Sequence, residues 1–262
     1  MKVRLGDEPH VLVTGTSGAI GGAIAREIRA RAPRARLTLV DRTGDESEKL
    51  KASLGGSALV HVVDLAELGR LPELVVRARE VYGPLHGLVN CAGFMEVRRL
   101  ESFPWELAER LFAVDLLAPL RLQHEILPEM LERGRGFIVN VTSMAGRLPI
   151  KGCSMYGAAK AGLAMASEVA NAELANRGVH VVTVYPGPVA SALERSARAQ
   201  FGGGRVKDAI PTGNPRQLAQ RVLDAVEEGS PRVVYPGLYE LGFRAVGLAS
   251  RATLALGPDP LA

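Results

Sequence analysis

The sequence predicts an α/β fold: a doubly wound parallel sheet of about seven strands with helices on both faces, three layers in all. Three observations predict it. Short aliphatic runs alternate with stretches of helical period along most of the 262 residues. The runs are apolar throughout rather than at every second position, which marks strands buried on both faces. The stretches between them are long enough for right-handed helical crossovers. Hydrophobic residues make up 47% of the chain and aromatic residues only 5%, so the core must be aliphatic.

The elements follow in order. HVLVT (10–14) is the first strand, and Ile20, Ala23, Ile24 and Ile28 then recur at helical spacing. LTLVD (37–41) is the second strand, followed by a polar helix near 45–53. ALVHVVD (58–64) is the third, with a helix over 71–82, and GLVN (87–90) is the fourth. One long helix is predicted from Pro104 to Leu131, with Pro104 in its first turn. FIVNVTS (137–143) is a strand, and the helix over 154–177 stops at Gly178. VHVVTVYP (179–186), helices near 190–200 and 215–228, and RVVYP (232–236) complete the pattern. No linker or repeat divides the chain, so one domain over 1–262 is expected, with its ligand at the carboxyl ends of the strands. The Gly- and Pro-rich segment 201–215 reads as a loop.

Residues 237–262 form an apolar tail. Within 241–256 only Arg244 and Arg251 are charged, and their spacing of seven puts them on one helical face. The tail is expected to cover the pocket or pack on a partner, with peripheral contact on a membrane surface as the other reading.

Charge and cysteine usage exclude several classes. Lys+Arg minus Asp+Glu is 32 − 28 = +4, a weak field without a basic stripe, so no nucleic-acid partner is expected. Arg26, Arg29, Arg31, Arg34 and Arg36 read as the solvated face and end of one helix. Two cysteines give neither a disulfide framework nor a metal cluster, so no metal site is expected and a cytoplasmic setting fits. MKVRLGDEPH lacks the apolar centre of a signal peptide, and no run of about 18 apolar residues can span a bilayer. His61, His86, His124 and His180 are expected in core or surface roles away from the site. Cys91 and Trp105 read as packing.

Two constellations carry chemistry. TGTSGAIG (Thr14 to Gly21) lies between a predicted strand and a predicted helix, where glycines let backbone approach a pyrophosphate and the helix start offers free N–H groups. Asp41 stands 20 residues after Gly21 at a strand end, placed to accept from ribose hydroxyls and repel a 2′-phosphate. This favours NAD; Arg42 beside it leaves NADP as the alternative. The second is Ser143, Tyr156 and Lys160. Tyr156 and Lys160 are spaced i, i+4 and share a helix face, and Ser143 lies at a strand's carboxyl end. An ammonium beside a phenol favours phenolate, so Lys160 together with a bound nicotinamide cation is expected to lower the Tyr156 pKa.

With these motifs, NCAG (Asn90 to Gly93), YGAAK (Tyr156 to Lys160) and YPGPVAS (Tyr185 to Ser191), the chain resembles the short-chain dehydrogenase/reductase family from about residue 9 to 236. Ser143 lies 13 residues before Tyr156, as in that family. The resemblance implies a Rossmann-type sheet and a hydride transfer between NAD(P) and an alcohol or ketone. Tyr156 would be the general acid/base, Ser143 would hydrogen-bond the substrate oxygen, and Lys160 would bind the nicotinamide ribose. The implied cofactor surface comprises Gly15, Thr16, Ser17, Ala19, Ile20, Gly21, Asp41, Arg42, Asp64, Leu65, Asn90, Ala92, Gly93, Pro186, Gly187, Val189 and Ser191, with Tyr156 and Lys160. Asp64 would meet the adenine, Asn90 and Gly93 would support the central sheet and line the cofactor, and Ser191 takes the place of the usual Thr.

Two departures stand out. Ala19 replaces the family's middle glycine, and Asp115 replaces the Asn that completes the catalytic tetrad largely through its backbone carbonyl. The substrate walls are expected from Phe94, Met95, Met144, Leu148 to Cys153, Pro188, Val189 and the loop around 190–212. These are mostly apolar, and no arginine is expected to point in, so a hydrophobic secondary alcohol or ketone is the expected substrate. Family members pair their two long helices, which implies a homodimer or homotetramer. The alternatives are a non-catalytic dinucleotide-binding regulator, or an isomerase or dehydratase that retains its cofactor.

Overall fold

A computed structural model of the chain describes residues 5–202 and 211–261; residues 203–210 of the predicted loop lie outside them. Seven strands form one parallel sheet: β1 (His10–Thr14), β2 (Arg36–Asp41), β3 (Ala58–Val62), β4 (Gly87–Asn90), β5 (Gly136–Val141), β6 (Val179–Pro186) and β7 (Arg232–Tyr235). Their order is β3-β2-β1-β4-β5-β6-β7. The winding direction therefore reverses between β1 and β4, and the crevice outside their carboxyl ends is where such sheets take ligands.

Each strand serves both layers. Val11 and Val13 of β1 pack with Ile24 and Ile28 of α1 (Ala19–Arg31), Leu50 of α2 (Asp45–Leu54) and Leu218 and Val222 of the helix over Pro215–Glu228. Leu12, between them, faces Leu71 and Leu74 of α3 (Leu71–Tyr82) and Leu122 and Ile126 of the helix over Ala118–Glu132. This continuous burial is what the unbroken aliphatic runs encode.

The predicted helix 104–131 is real but not uniform. It runs as α4 (Trp105–Phe112), a π turn over Ala113–Leu117, and α5 (Ala118–Glu132), with Pro104 at the N-cap rather than in the first turn. Pro119 has no N–H for the carbonyl of Asp115 four residues back, so a regular α-helix cannot continue there. Trp105 is 64% exposed rather than packed.

The remaining helices are α6 (Ser154–Leu174), α7 (Ala192–Ala199) and α8 (Pro215–Glu228). Arg31 is not a solvated cation: it pairs with Glu27, Asp224 and Glu227 and so ties α1 to α8. Arg29 likewise donates to the carbonyls of Pro33, Ala35 and Ser57. The tail folds as two helices, α9 (Tyr239–Arg244) and α10 (Val246–Leu256), broken at Ala245. Arg244 and Arg251 thus belong to different helices, and their spacing does not place them on one face.

His10, which the motif reading passed over, is fully buried. Its ring nitrogens meet Thr38 Oγ1 at 2.9 Å and the Gly83 carbonyl at 2.8 Å. Burial drives its pKa down to about 4.

Candidate active site

A cavity of about 1220 Å³ opens along the carboxyl edge of the sheet, from Asp41 and Asp64 at one end to α10 at the other. The glycine turn forms its floor. Gly15 has φ +73°, and its N–H donates to Val40 O at 2.9 Å. A Cβ there would lie 2.7 Å from the backbone of Ala92, and one on Gly21 would lie 2.3 Å from Gly15 O. The turn therefore seats directly on the segment after β4 and on the start of α1, which has neither a side-chain cap nor an acidic first turn. Thr14 completes the joint: its Oγ1 accepts from the N–H groups of Cys91 and Ala92 at 3.0 and 3.1 Å.

Asp41 ends β2, and its carboxylate accepts from the N–H groups of Ser17 and Arg42, both at 2.8 Å. Asp64, two residues past β3, accepts from Ala66 N–H at 3.0 Å and from the Arg110 guanidinium at 2.7 Å. Desolvation pushes the Asp64 carboxyl up, but these bonds and the charges of Arg110 and Arg42 bring it below its ordinary value. Arg110 reaches Asp64 from α4, a pairing that no local sequence signal announces.

Ser143, Tyr156 and Lys160 meet on the same wall, midway along the cavity. Gly146 explains the meeting. A Cβ there would sit 2.7 Å from the α6 backbone at Lys160 and Ala161, so the short turn after Ser143 can lie flat against α6. Ser143 Oγ accepts from Ala145 N–H at 3.1 Å, which leaves its O–H to donate. Lys160 is buried, donates to Val141 O at 3.3 Å, and sits 5.8 Å from the centre of the Tyr156 ring. Burial pushes the Tyr156 phenol up, the Asp115 charge adds to this, and a hydrogen bond with Ser143 opposes it. The expected lowering by Lys160 is therefore not achieved by the chain alone: desolvation wins.

Comparison with known proteins identifies the family. The family model described as short chain dehydrogenase matches residues 9–201. The chain belongs to the short-chain dehydrogenase/reductase family. It is 34% identical over 230 residues to ketoacyl reductase HetN of Nostoc sp., covering 86% of this chain and 77% of that protein. It is 31% identical over 248 residues to D-beta-hydroxybutyrate dehydrogenase of Cupriavidus necator, covering 92% and 90%. Among solved structures it superposes on a short-chain dehydrogenase from Streptomyces avermitilis with TM-score 0.81 and 27% identity, over 95% of each chain. The family is one of oxidoreductases that bind NAD(P).

All the residues expected on the cofactor surface except Thr16 and Asn90 line the cavity, whereas Cys153, expected in the substrate wall, and Asp115, expected in the tetrad, do not. Thr16 turns away, its hydroxyl 2.8 Å from Ser47 Oγ. Asn90 lies within the sheet and donates to Asn140 Oδ1 at 2.9 Å, so it supports the strands without reaching the cavity. Cys153 is buried with Val97 and Ala197, behind the wall. Asp115 is fully buried beneath Gly93 and Lys160. Ser191 does reach the wall, yet its Oγ also caps α7 by accepting from Glu194 N–H at 3.0 Å.

Of the residues expected at the substrate walls, Phe94, Met95, Met144, Leu148, Ile150, Pro188 and Phe201 line the cavity, together with the tail residues Tyr239 and Leu256. Arg195 and Arg198 also reach it, contrary to expectation, with Arg198 paired to Glu194 at 2.6 Å. No histidine lines the cavity among the described residues, and none of their helices is long and apolar enough to cross a membrane.

Proposed function

We propose that the chain is an NAD(H)-linked dehydrogenase or reductase for an apolar secondary alcohol/ketone pair, with Tyr156 as general acid/base. One observation carries the reading: Ser143, Tyr156 and Lys160 share a cavity with the glycine turn and Asp41. Gly15, Ala19, Gly21 and the free start of α1 would hold the pyrophosphate, Asp41 the adenosine ribose, Asp64 the adenine, and Lys160 the second ribose. The close glycine contacts leave backbone, not side chains, facing the groove, which fits a dinucleotide. When bound, the nicotinamide supplies or accepts the hydride.

The chain's own residues handle the proton. In reduction the Tyr156 phenol gives its proton to the carbonyl oxygen; in oxidation the phenolate takes it from the carbinol. The Ser143 O–H holds that oxygen in place. The apolar side chains at the substrate end favour a hydrophobic substrate. Leu117, Met165 and Val169, exposed on the two long helices, fit a homodimer or homotetramer. The free cysteines Cys91 and Cys153 fit a cytoplasmic setting. Arg42 and Arg110 beside Asp64 keep NADP as the second cofactor reading.

A thermal-shift titration with NADH and, separately, NADPH tests the cofactor assignment. A ligand at a hundred times its Kd adds about 2.7 kcal/mol of stability. A shift with NADH alone is expected; a shift with NADPH alone transfers discrimination to Arg42, and no shift with either removes the oxidoreductase reading.

A further inference from the structure

Beyond that reading, and resting on it, we propose that the Asp115 side chain is a positioning residue that raises the pH at which Tyr156 exchanges its proton. Where the family has an amide, this chain has an acid. Its setting is closed: the side chain has no exposure, Oδ1 accepts from Phe94 N–H at 3.0 Å, and Oδ2 is buried with no hydrogen-bond partner. That second oxygen lies 4.0 Å from Lys160 Nζ.

Gly93 is what admits the pair. A Cβ there would fall 2.7 Å from Asp115 Oδ1 and 3.1 Å from Lys160 Nζ. The carboxyl thus occupies a place between the nucleotide-facing loop and the ammonium of the tetrad, open to neither water nor a second donor. A charge at such a site acts strongly on its neighbours, because little solvent screens it.

The ionisable groups around it are few. Lys160 and Tyr156 come from α6, Cys91 follows β4, and Cys153 precedes α6. Burial pushes both thiols up to about 12, so they stay neutral through the working range. Burial raises the Asp115 carboxyl against the pull of Lys160 and the Phe94 N–H, to about 6. Above that pH the carboxylate opposes loss of the Tyr156 proton; below it, the opposition fades. Near neutrality burial already keeps Tyr156 as the phenol, and the Asp115 carboxylate adds to that hold, so the phenolate forms only at a higher pH.

An asparagine at 115 keeps the acceptor for Phe94 N–H and removes only the charge. With NAD bound, the ultraviolet phenolate band of Tyr156 is isolated by subtracting the Tyr156→Phe titration in each background, from neutral to strongly alkaline pH. Asp115→Asn is expected to lower the Tyr156 midpoint by about one pH unit, the low end of what a neighbouring charge does. Superimposable midpoints, an upward shift, or no titration of Tyr156 in either background would overturn the proposal. Carbon NMR of the aspartate carboxyls, assigned against Asp115→Asn, gives a second readout that needs no cofactor. An Asp115 midpoint near 6 that rises in Lys160→Met is expected; an ordinary carboxylate midpoint, unmoved by Lys160→Met, refutes the coupling. Failure to bind either NAD or NADP would remove the oxidoreductase reading while leaving this carboxyl titration intact.

Discussion

The two ends of the cavity are built on different terms. At the glycine-turn end, backbone fixes nearly everything: Gly15 N–H on Val40 O, Ser17 and Arg42 N–H on Asp41, Cys91 and Ala92 N–H on Thr14. At the substrate end the wall is side chains, and one of its helices, α10, has no buried residue at all. Its own tie to the body is partial, with Val246 and Ala249 half-buried against the cluster of Met144, Leu148 and Phe243, and neighbours add Tyr239 over Gly187, Lys151 on Asp259 at 3.0 Å, and Phe201 bridged to Pro260. An end made of backbone accepts one ligand shape and loses stability when altered. An end made of partly exposed side chains can be changed with little effect on folding, and what changes is the substrate it takes.

The sharpest break in that comparison falls where the ends meet. Tyr156→Phe removes the side chain's one ionisable proton, with its hydroxyl, and leaves the glycine turn untouched. Turnover is expected to fall by about 10²- to 10⁴-fold, the usual share of general acid–base catalysis. Calorimetry should find the NADH Kd unchanged. Retained turnover would move the acid/base role elsewhere.

Gly15→Ala tests the fixed end. Positive φ in a non-glycine residue costs about 1–2 kcal/mol, and a Cβ 2.7 Å from the Ala92 backbone adds overpacking of about 1–3 kcal/mol. A stability loss of at least ~2 kcal/mol in urea unfolding is expected, with lost NADH binding in whatever remains folded. A variant as stable as the parent would show that the turn can shift.

The same division governs what was legible in the sequence. The strands β1 and β4, the turn between β1 and α1, and the Tyr156–Lys160 spacing all follow from local pattern, because period and glycine position are local properties. The π turn was not read, although Pro119 carried the signal four residues after Asp115. Arg110 on Asp64, and Gly146 under α6, join segments distant in sequence and leave no periodic trace. Thr16 and Cys153 were placed by motif neighbourhood alone; the Thr16 hydroxyl turns to Ser47, and Cys153 is buried among Val97 and Ala197. The upward shift of Tyr156 depends on burial from several elements at once, and spacing cannot report that.

A pH ramp probes the fixed end, with His10 read as a difference from its variant because Asp115 titrates in the same window. His10 begins β1, the strand that carries the glycine turn, and its folded pKa of about 4 lies below the ordinary imidazole value of 6.5. The folded state favours the neutral ring, so this contribution is fully present above pH 6.5 and is lost as pH falls from there to about 4. The loss should reach on the order of 3 kcal/mol. Urea midpoints of the parent and His10→Gln across that window should converge toward acid. The rings of His61, His86 and His180, also pushed down by burial, leave a smaller slope in the variant. Parallel curves would place His10 in contact with water.

Leu256→Ala carries the smallest expected effect and separates the two ends most cleanly. Leu256 lines the substrate end yet is 70% exposed, whereas Leu148 on the same wall is 7% exposed and packs with Tyr185 and Phe243. Truncating an exposed side chain changes stability by no more than about 0.5 kcal/mol; Leu148→Ala, a cavity in a packed cluster, should cost about 2–4 kcal/mol. A long apolar ketone that covers Leu256 would lose the burial of one leucine side chain, so KM should rise by about tenfold. A short ketone that stops at Ser143 and Tyr156 should not feel the change. If Leu256→Ala instead melts like Leu148→Ala, α10 is part of the packed body, and the substrate end is as fixed as the glycine turn.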